Sequence, residues 1–116
     1  MDVIDVLAQQ DLTTEDSPYG AVALVHSGSD LGAWSIWKDF EEVEPSFAVM
    51  DRDDLLYVVR GSLCLELEGA ESRVISTGQL CVIPAGTPFR GYRWPRHGEA
   101  CLFLAVAPAG ANFKRL

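Results

Sequence analysis

The sequence predicts an all-β domain, a sandwich or barrel of about eight to ten short strands. Three observations carry that prediction. Short apolar or alternating runs recur along the whole chain, and Gly, Pro, Asn, Asp or Ser clusters separate them every 8–12 residues or so. No run has the length and period of a sizeable helix, and no strand–helix alternation is visible. The clearest half-buried strand alternates Leu63, Leu65 and Leu67 with Cys64, Glu66 and Glu68.

Taken in order, Asp2 to Gln10 suits a short helix through Val3 and Leu7, or equally an edge strand, and the whole of residues 1–20 reads as an N-terminal arm. Thr13 to Gly20 carries the composition of a loop. Ala21 to His26 is a strand closed by the turn Ser27-Gly28-Ser29-Asp30. Gly32 to Trp37 is the next, with Trp34 and Ile36 on one face and Ala33, Ser35 and Trp37 on the other. Asp39 to Pro45 is an acidic loop, Ser46 to Met50 a short strand and Asp51 to Asp54 a charged turn. Leu55 to Val59 is strongly β-prone, and Val74-Ile75 forms a brief strand. Leu80 to Ile83 is an apolar strand between Gly78-Gln79 and Pro84-Ala85-Gly86. Pro84 lacks a backbone donor and belongs where the strand leaves its ladder, and Gly86 permits a positive φ in the turn that follows. Arg90 to Trp94 is stopped by Pro95. Ala100 to Ala107 is apolar throughout and should be buried on both faces, and Ala109 to Leu116 is a tail or single helical turn.

Composition narrows the function. The 116 residues form one domain, and 48% hydrophobic content is enough for a real core. A formal net charge of −8 with no basic stripe argues against nucleic acid as a partner. No run approaches the 18 or so apolar residues of a membrane span, and the acidic start (Asp2, Asp5) is unlike a signal peptide, so a cytoplasmic location is expected. Cys64, Cys81 and Cys101 are too widely spaced for a zinc knuckle and are expected as buried free thiols.

Gly78, Pro84 and Gly86 stand at the spacing Gly-x5-Pro-x-Gly, and Asp54 stands seven residues before Gly61 at the end of Tyr57-Val58-Val59-Arg60-Gly61. Together these elements resemble the two motifs of the cupin superfamily, over about residues 46–107. The first motif is a Gly, five residues, His-x-His, three or four residues, Glu, six residues, Gly. The second is Gly-x5-Pro-x-Gly, two residues, His, three residues, Asn. The resemblance implies a double-stranded β-helix, or jelly-roll barrel, and a homodimer paired through the outer sheets. In metal-binding members the histidines and the Glu converge inside the barrel on a transition metal. Here Asp54 stands at the Glu position, Phe89 at the later His and Arg93 at the Asn. The two earlier His positions are Ala48 and Met50, or Phe47 and Val49 with the longer spacing, and the opening Gly is Glu42 or Glu41. The expectation is therefore a cupin whose usual metal site is missing, with no metal or other cofactor. Relocated ligands among His26, His97, Asp51, Asp53 or a cysteine are the counter-reading.

Residues two apart share a face of a strand, so if Phe89 points inward as the His of the resembled family does, Gly91 and Arg93 do too, and if the Asp54 position points inward, Leu56 and Val58 follow. The expected site is an apolar pocket of Ala48, Met50 and Phe89, with one or more of Trp34, Trp37, Tyr92 and Trp94 near its mouth. Arg93 could hold a carboxylate or phosphate, or pair with Asp54; Asp54 is the candidate acid or base. Plain core packing is the structural alternative for Phe89 and Met50. Two functions follow. One is a metal-independent protein binding a small organic, possibly anionic, ligand. The other is a metal-independent isomerase, epimerase, lyase or cyclase; a metal-dependent enzyme with relocated ligands comes third.

Overall fold

A computed structural model describes residues 1–8, 12–41 and 44–116. Its described residues contain eleven strands and no helix: β1 (Glu15–Ser17), β2 (Gly20–Ser27), β3 (Leu31–Lys38), β4 (Ala48–Met50), β5 (Asp54–Arg60), β6 (Ser62–Leu67), β7 (Arg73–Ser76), β8 (Leu80–Ile83), β9 (Phe89–Arg93), β10 (Cys101–Pro108) and β11 (Phe113–Arg115). They form two antiparallel sheets, one ordered β1-β2-β3-β10-β5-β8 and the other β11-β4-β9-β6-β7. Consecutive strands such as β5 and β6 lie in different sheets, so the chain winds back and forth across the core between them. Among the described residues no helix is long and apolar enough to cross a membrane.

The apolar runs do the work expected of them. β10 pairs with β3 along its whole length and with β5 on its other side. It is accordingly buried on both faces, with only Leu104 and Val106 half-buried between Cys101 and Ala107. Leu63, Val58, Leu102 and Cys101 are almost wholly removed from water. Leu63, Val58 and Leu102 each contribute about 1.5–3 kcal/mol on burial. The turn glycines Gly61, Gly78 and Gly86 have φ of 77°, 84° and 80°, a region open to Gly at no steric cost. Gly86 also donates its N–H to the Met50 carbonyl at 2.8 Å, which ties the turn after β8 to the end of β4.

Four expectations are corrected. Residues 13–20 are not all loop, because Glu15–Ser17 pairs with Gly20–Val22 in a tight hairpin. The C-terminal segment is neither tail nor helical turn: β11 pairs with β4, Phe113 opposite Met50, an edge pairing too short to show in the apolar pattern. Residues 1–8 hold one turn and neither helix nor strand, and the rest of the proposed N-terminal element, Gln9 and Gln10, lies outside the described residues. Finally, β6 does not alternate cleanly. Cys64 is as buried as its neighbours Leu63 and Leu65, because Tyr92 of β9 sits opposite it and covers the outer face.

The charged turn before β5 is more than a solvated loop. Asp51 accepts from the Asn112 amide (2.7 Å) and side chain (3.2 Å), and Asp53 accepts from the Ala85 amide (2.9 Å). Two carboxylates thus pin the C-terminal segment and the Pro84–Gly86 turn around one end of the barrel.

Candidate functional site

Between the sheets lies a cavity of about 300 Å³. Strand alternation builds its walls. β5 turns Asp54 and Leu56 inward, β6 turns Leu63 and Leu65, and β9 turns Phe89 and Gly91. Ile36 of β3 and Phe103 and Ala105 of β10 continue the β5 wall, and β6 and β9 form the wall facing it. The half-buried Tyr19, Val22, Trp34 and Ala111, and Phe113, which is 43% exposed, line the end that reaches solvent. Tyr19 and Phe113 meet edge-to-face at 4.8 Å, and Phe113 meets Phe89 at 6.3 Å, so the mouth is framed by aromatic rings from both ends of the chain.

Only a few polar groups face this apolar space. Asp54 is buried, and no cation is placed to compensate it. Desolvation raises its carboxyl from 3.8 to about 6, opposed only by the Leu55 amide that donates to it. The nearby Cys81 thiol is raised in turn, by burial first and then by the Asp54 charge. Glu44 lines another part of the wall and is bound to Lys38, whose Nζ donates to Glu44 Oε1 and to the Gly91 carbonyl (3.2 Å). Burial pushes Lys38 down and Glu44 up, while each opposes the shift of the other. Tyr19 Oη is a buried side-chain atom left without a hydrogen-bond partner among the described residues, and burial raises its phenol.

The structure brings together Met50, Asp54, Phe89 and Trp34 around one cavity. It leaves five of the expected residues out. Ala48 points inward and is fully buried, but it packs opposite Phe89 rather than lining the space. Tyr92 lies on the outer face of β9 against Trp94, their rings 6.3 Å apart, and contact with Cys64 together with burial pushes its phenol up to about 12. Trp37 and Trp94 do not line the cavity either. Arg93 shares the inward face of β9, as alternation requires, yet its guanidinium is engaged beyond the cavity floor. It donates to the Arg96 carbonyl (2.8 Å) and to Asp39 (3.0 Å), with Glu41 at 4.0 Å, and it does not pair with Asp54. An arginine at a strand end can reach past the core, and two acids in the loop after β3 draw it there.

Three functional candidates escaped the sequence reading. Lys38 and Glu44 are a charged strand end and a loop acid, the usual signature of surface. Tyr19 sits in a loop-like stretch; its aromatic character beside Gly20 was the only cue.

The residues do not fit the metal usually held by proteins with these motifs. Among the described residues no three His, Cys, Asp or Glu side chains converge on a common point. His26 is exposed, His97 is 82% exposed and paired with Glu41 at 2.9 Å, and Asp51 and Asp53 are committed to backbone and Asn112.

No protein-family model matches the sequence, and neither does any curated protein. Solved structures do match. RemF, a polyketide cyclase from Streptomyces resistomycificus, is 17% identical and superposes over 100% of this chain and 85% of its own, with a TM-score of 0.81. A double-stranded β-helix protein from Klebsiella pneumoniae is 14% identical over 99% of this chain and 96% of its own, at 0.79. A cupin-like protein from Thermotoga maritima is 13% identical over 90% and 84%, at 0.75. At these identities the likeness is one of fold: the chain has the double-stranded β-helix of the cupins.

Proposed function

We propose that this cupin-fold chain binds a small, largely apolar organic molecule in its barrel. The observation that carries the reading is the cavity itself. At about 300 Å³ it is roughly twice an engineered 150 Å³ cavity that takes up benzene, enough for two fused rings. Its wall is aliphatic and aromatic with a few convergent polar groups, the usual make-up of a small-molecule site. The proposed ligand contacts are Met50, Phe89, Trp34 and Phe103, with Asp54 as the orienting polar group. The test is calorimetric titration with naphthalene derivatives against wild type and Ala105→Leu, which adds three carbons to the cavity wall. Saturable one-to-one binding that falls at least tenfold in Ala105→Leu supports the reading. Binding unaffected by that change refutes it.

Asp54 favours a second reading, a metal-independent enzyme that moves a proton. A buried carboxyl poised at about 6 in an apolar cavity is suited to general acid–base work near neutrality, as in an isomerase or cyclase. Likeness of fold to a polyketide cyclase is compatible with this reading and no more. The test uses 2-tetralone, a bicyclic ketone, in D₂O. An Asp54 carboxylate would take an α-proton from carbon and return a deuteron, so wild type should speed exchange and Asp54→Asn should not. Equal rates for the two proteins would sink this reading while leaving binding untouched.

A further inference from the structure

The polar groups of the cavity restrict the class of molecule it can take, and this inference rests on the ligand-binding reading above. Its two carboxyls, Asp54 and Glu44, are acceptors when ionised, and no lysine or arginine lines its wall. Lys38 is held by Glu44 and the Gly91 carbonyl, and Arg93 by Asp39 and the Arg96 carbonyl. Arg90 is bound to Glu66 at 2.7 Å and lies over the Phe47 ring, and Arg115 lies over the Tyr19 ring, 6.0 Å from its centre. None of these four cations lines the cavity. An anion would enter an apolar space with a carboxylate in its wall and no cation lining it, within a chain of net charge −8. A plain hydrocarbon would fill the volume, leave Tyr19 Oη unsatisfied and give the Asp54 carboxylate no donor beyond the Leu55 amide, at the cost that attends buried polar groups short of partners. A neutral ring compound with a hydroxyl group avoids both penalties.

We propose that the cavity takes an uncharged aromatic molecule of about two rings whose hydroxyl group donates a hydrogen bond to Asp54, with Tyr19 Oη supplying a second hydrogen bond to the same molecule. This displaces the anionic ligand expected from Arg93.

The experiment compares 2-naphthol, 2-methoxynaphthalene and 2-naphthoate by calorimetry at pH 7.5, where Asp54 is mostly ionised. The three share a ring system and differ in donor and charge. The expected order is naphthol tightest, by about tenfold or more over the ether, as fits a donor to a charged group, with naphthoate weakest. Asp54→Leu should erase the preference for naphthol over the ether, and Asp54→Asn, which preserves size, should reduce it. Circular dichroism confirms that each variant is folded. Equal binding of naphthol and ether to wild type, or a preference that survives both substitutions, overturns the inference and leaves the cavity as a ligand site. Tightest binding of naphthoate also overturns it. Failure of all three probes to bind overturns the inference together with the reading it rests on.

Discussion

Replacing Asp54 by Asn should stabilise the protein at neutral pH, by an amount that depends on pH in a defined direction. Burial raises this carboxyl from 3.8 to about 6, with desolvation as the dominant cause. A raised acid binds its proton more tightly in the folded state than in the unfolded one. Its contribution is therefore fully present below about pH 3.8 and is lost as pH rises through about 6. At about 1.4 kcal/mol per pH unit, the ionised carboxylate costs the folded state roughly 3 kcal/mol above pH 7. Asn is nearly isosteric and uncharged, so it removes that cost and leaves the low-pH end alone. Urea denaturation of wild type and Asp54→Asn from pH 4 to pH 8 checks this. The stability difference between the two proteins should move by about 2.4 kcal/mol in favour of the variant across that range, because the unfolded carboxyl is already partly ionised at pH 4. Taking the difference cancels groups that titrate alike in both proteins, Glu44 included. The neighbouring Cys81, itself raised, stays outside the window. A difference independent of pH would refute the claim that Asp54 is buried without compensation. A chain that keeps a charge at such cost has a use for it, which links this measurement to the site.

The buried pair of Lys38 and Glu44 makes a second prediction. Lys38→Met leaves a buried carboxylate unpaired and should cost about 3–5 kcal/mol in denaturant melts, whereas Lys38→Met with Glu44→Leu should recover most of that loss. A double variant as unstable as the single one would contradict it. Arg93→Met should lower stability by about 1–3 kcal/mol, through loss of its hydrogen bonds to Asp39 and the Arg96 carbonyl. The same variant should leave 2-naphthol affinity within about twofold, since its guanidinium does not line the cavity; a tenfold fall in calorimetry would put Arg93 back in the site.

The fold was largely legible because its signals are local. Runs such as Leu80–Ile83 between Gly and Pro, and the all-apolar Cys101–Ala107 stretch, define strands without reference to the rest of the chain. The two edge strands, Glu15–Ser17 and Phe113–Arg115, were missed because they are three residues long and mostly exposed, so they carry no burial pattern. The site was legible where alternation decides direction: Met50, Asp54 and Phe89 do face one space. Alternation fixes where a side chain starts, not where a long one ends, and Arg93 leaves the cavity for Asp39 on that account. The Lys38–Glu44 pair was invisible for the complementary reason. Sequence marks Lys and Glu as exposed, and only the meeting of the loop after β3 with β9 buries them.

The most direct test of a ligand-filled barrel uses the two methionines of the chain. Met50 lines the cavity, and Met1 is fully exposed at the N-terminus. With ¹³C-methyl methionine the protein gives one signal from each. Titration with 2-naphthol should shift the Met50 methyl saturably and leave the Met1 methyl in place. A Met50 signal that does not move, or two signals that move together without saturating, would contradict the claim that this barrel is a binding site.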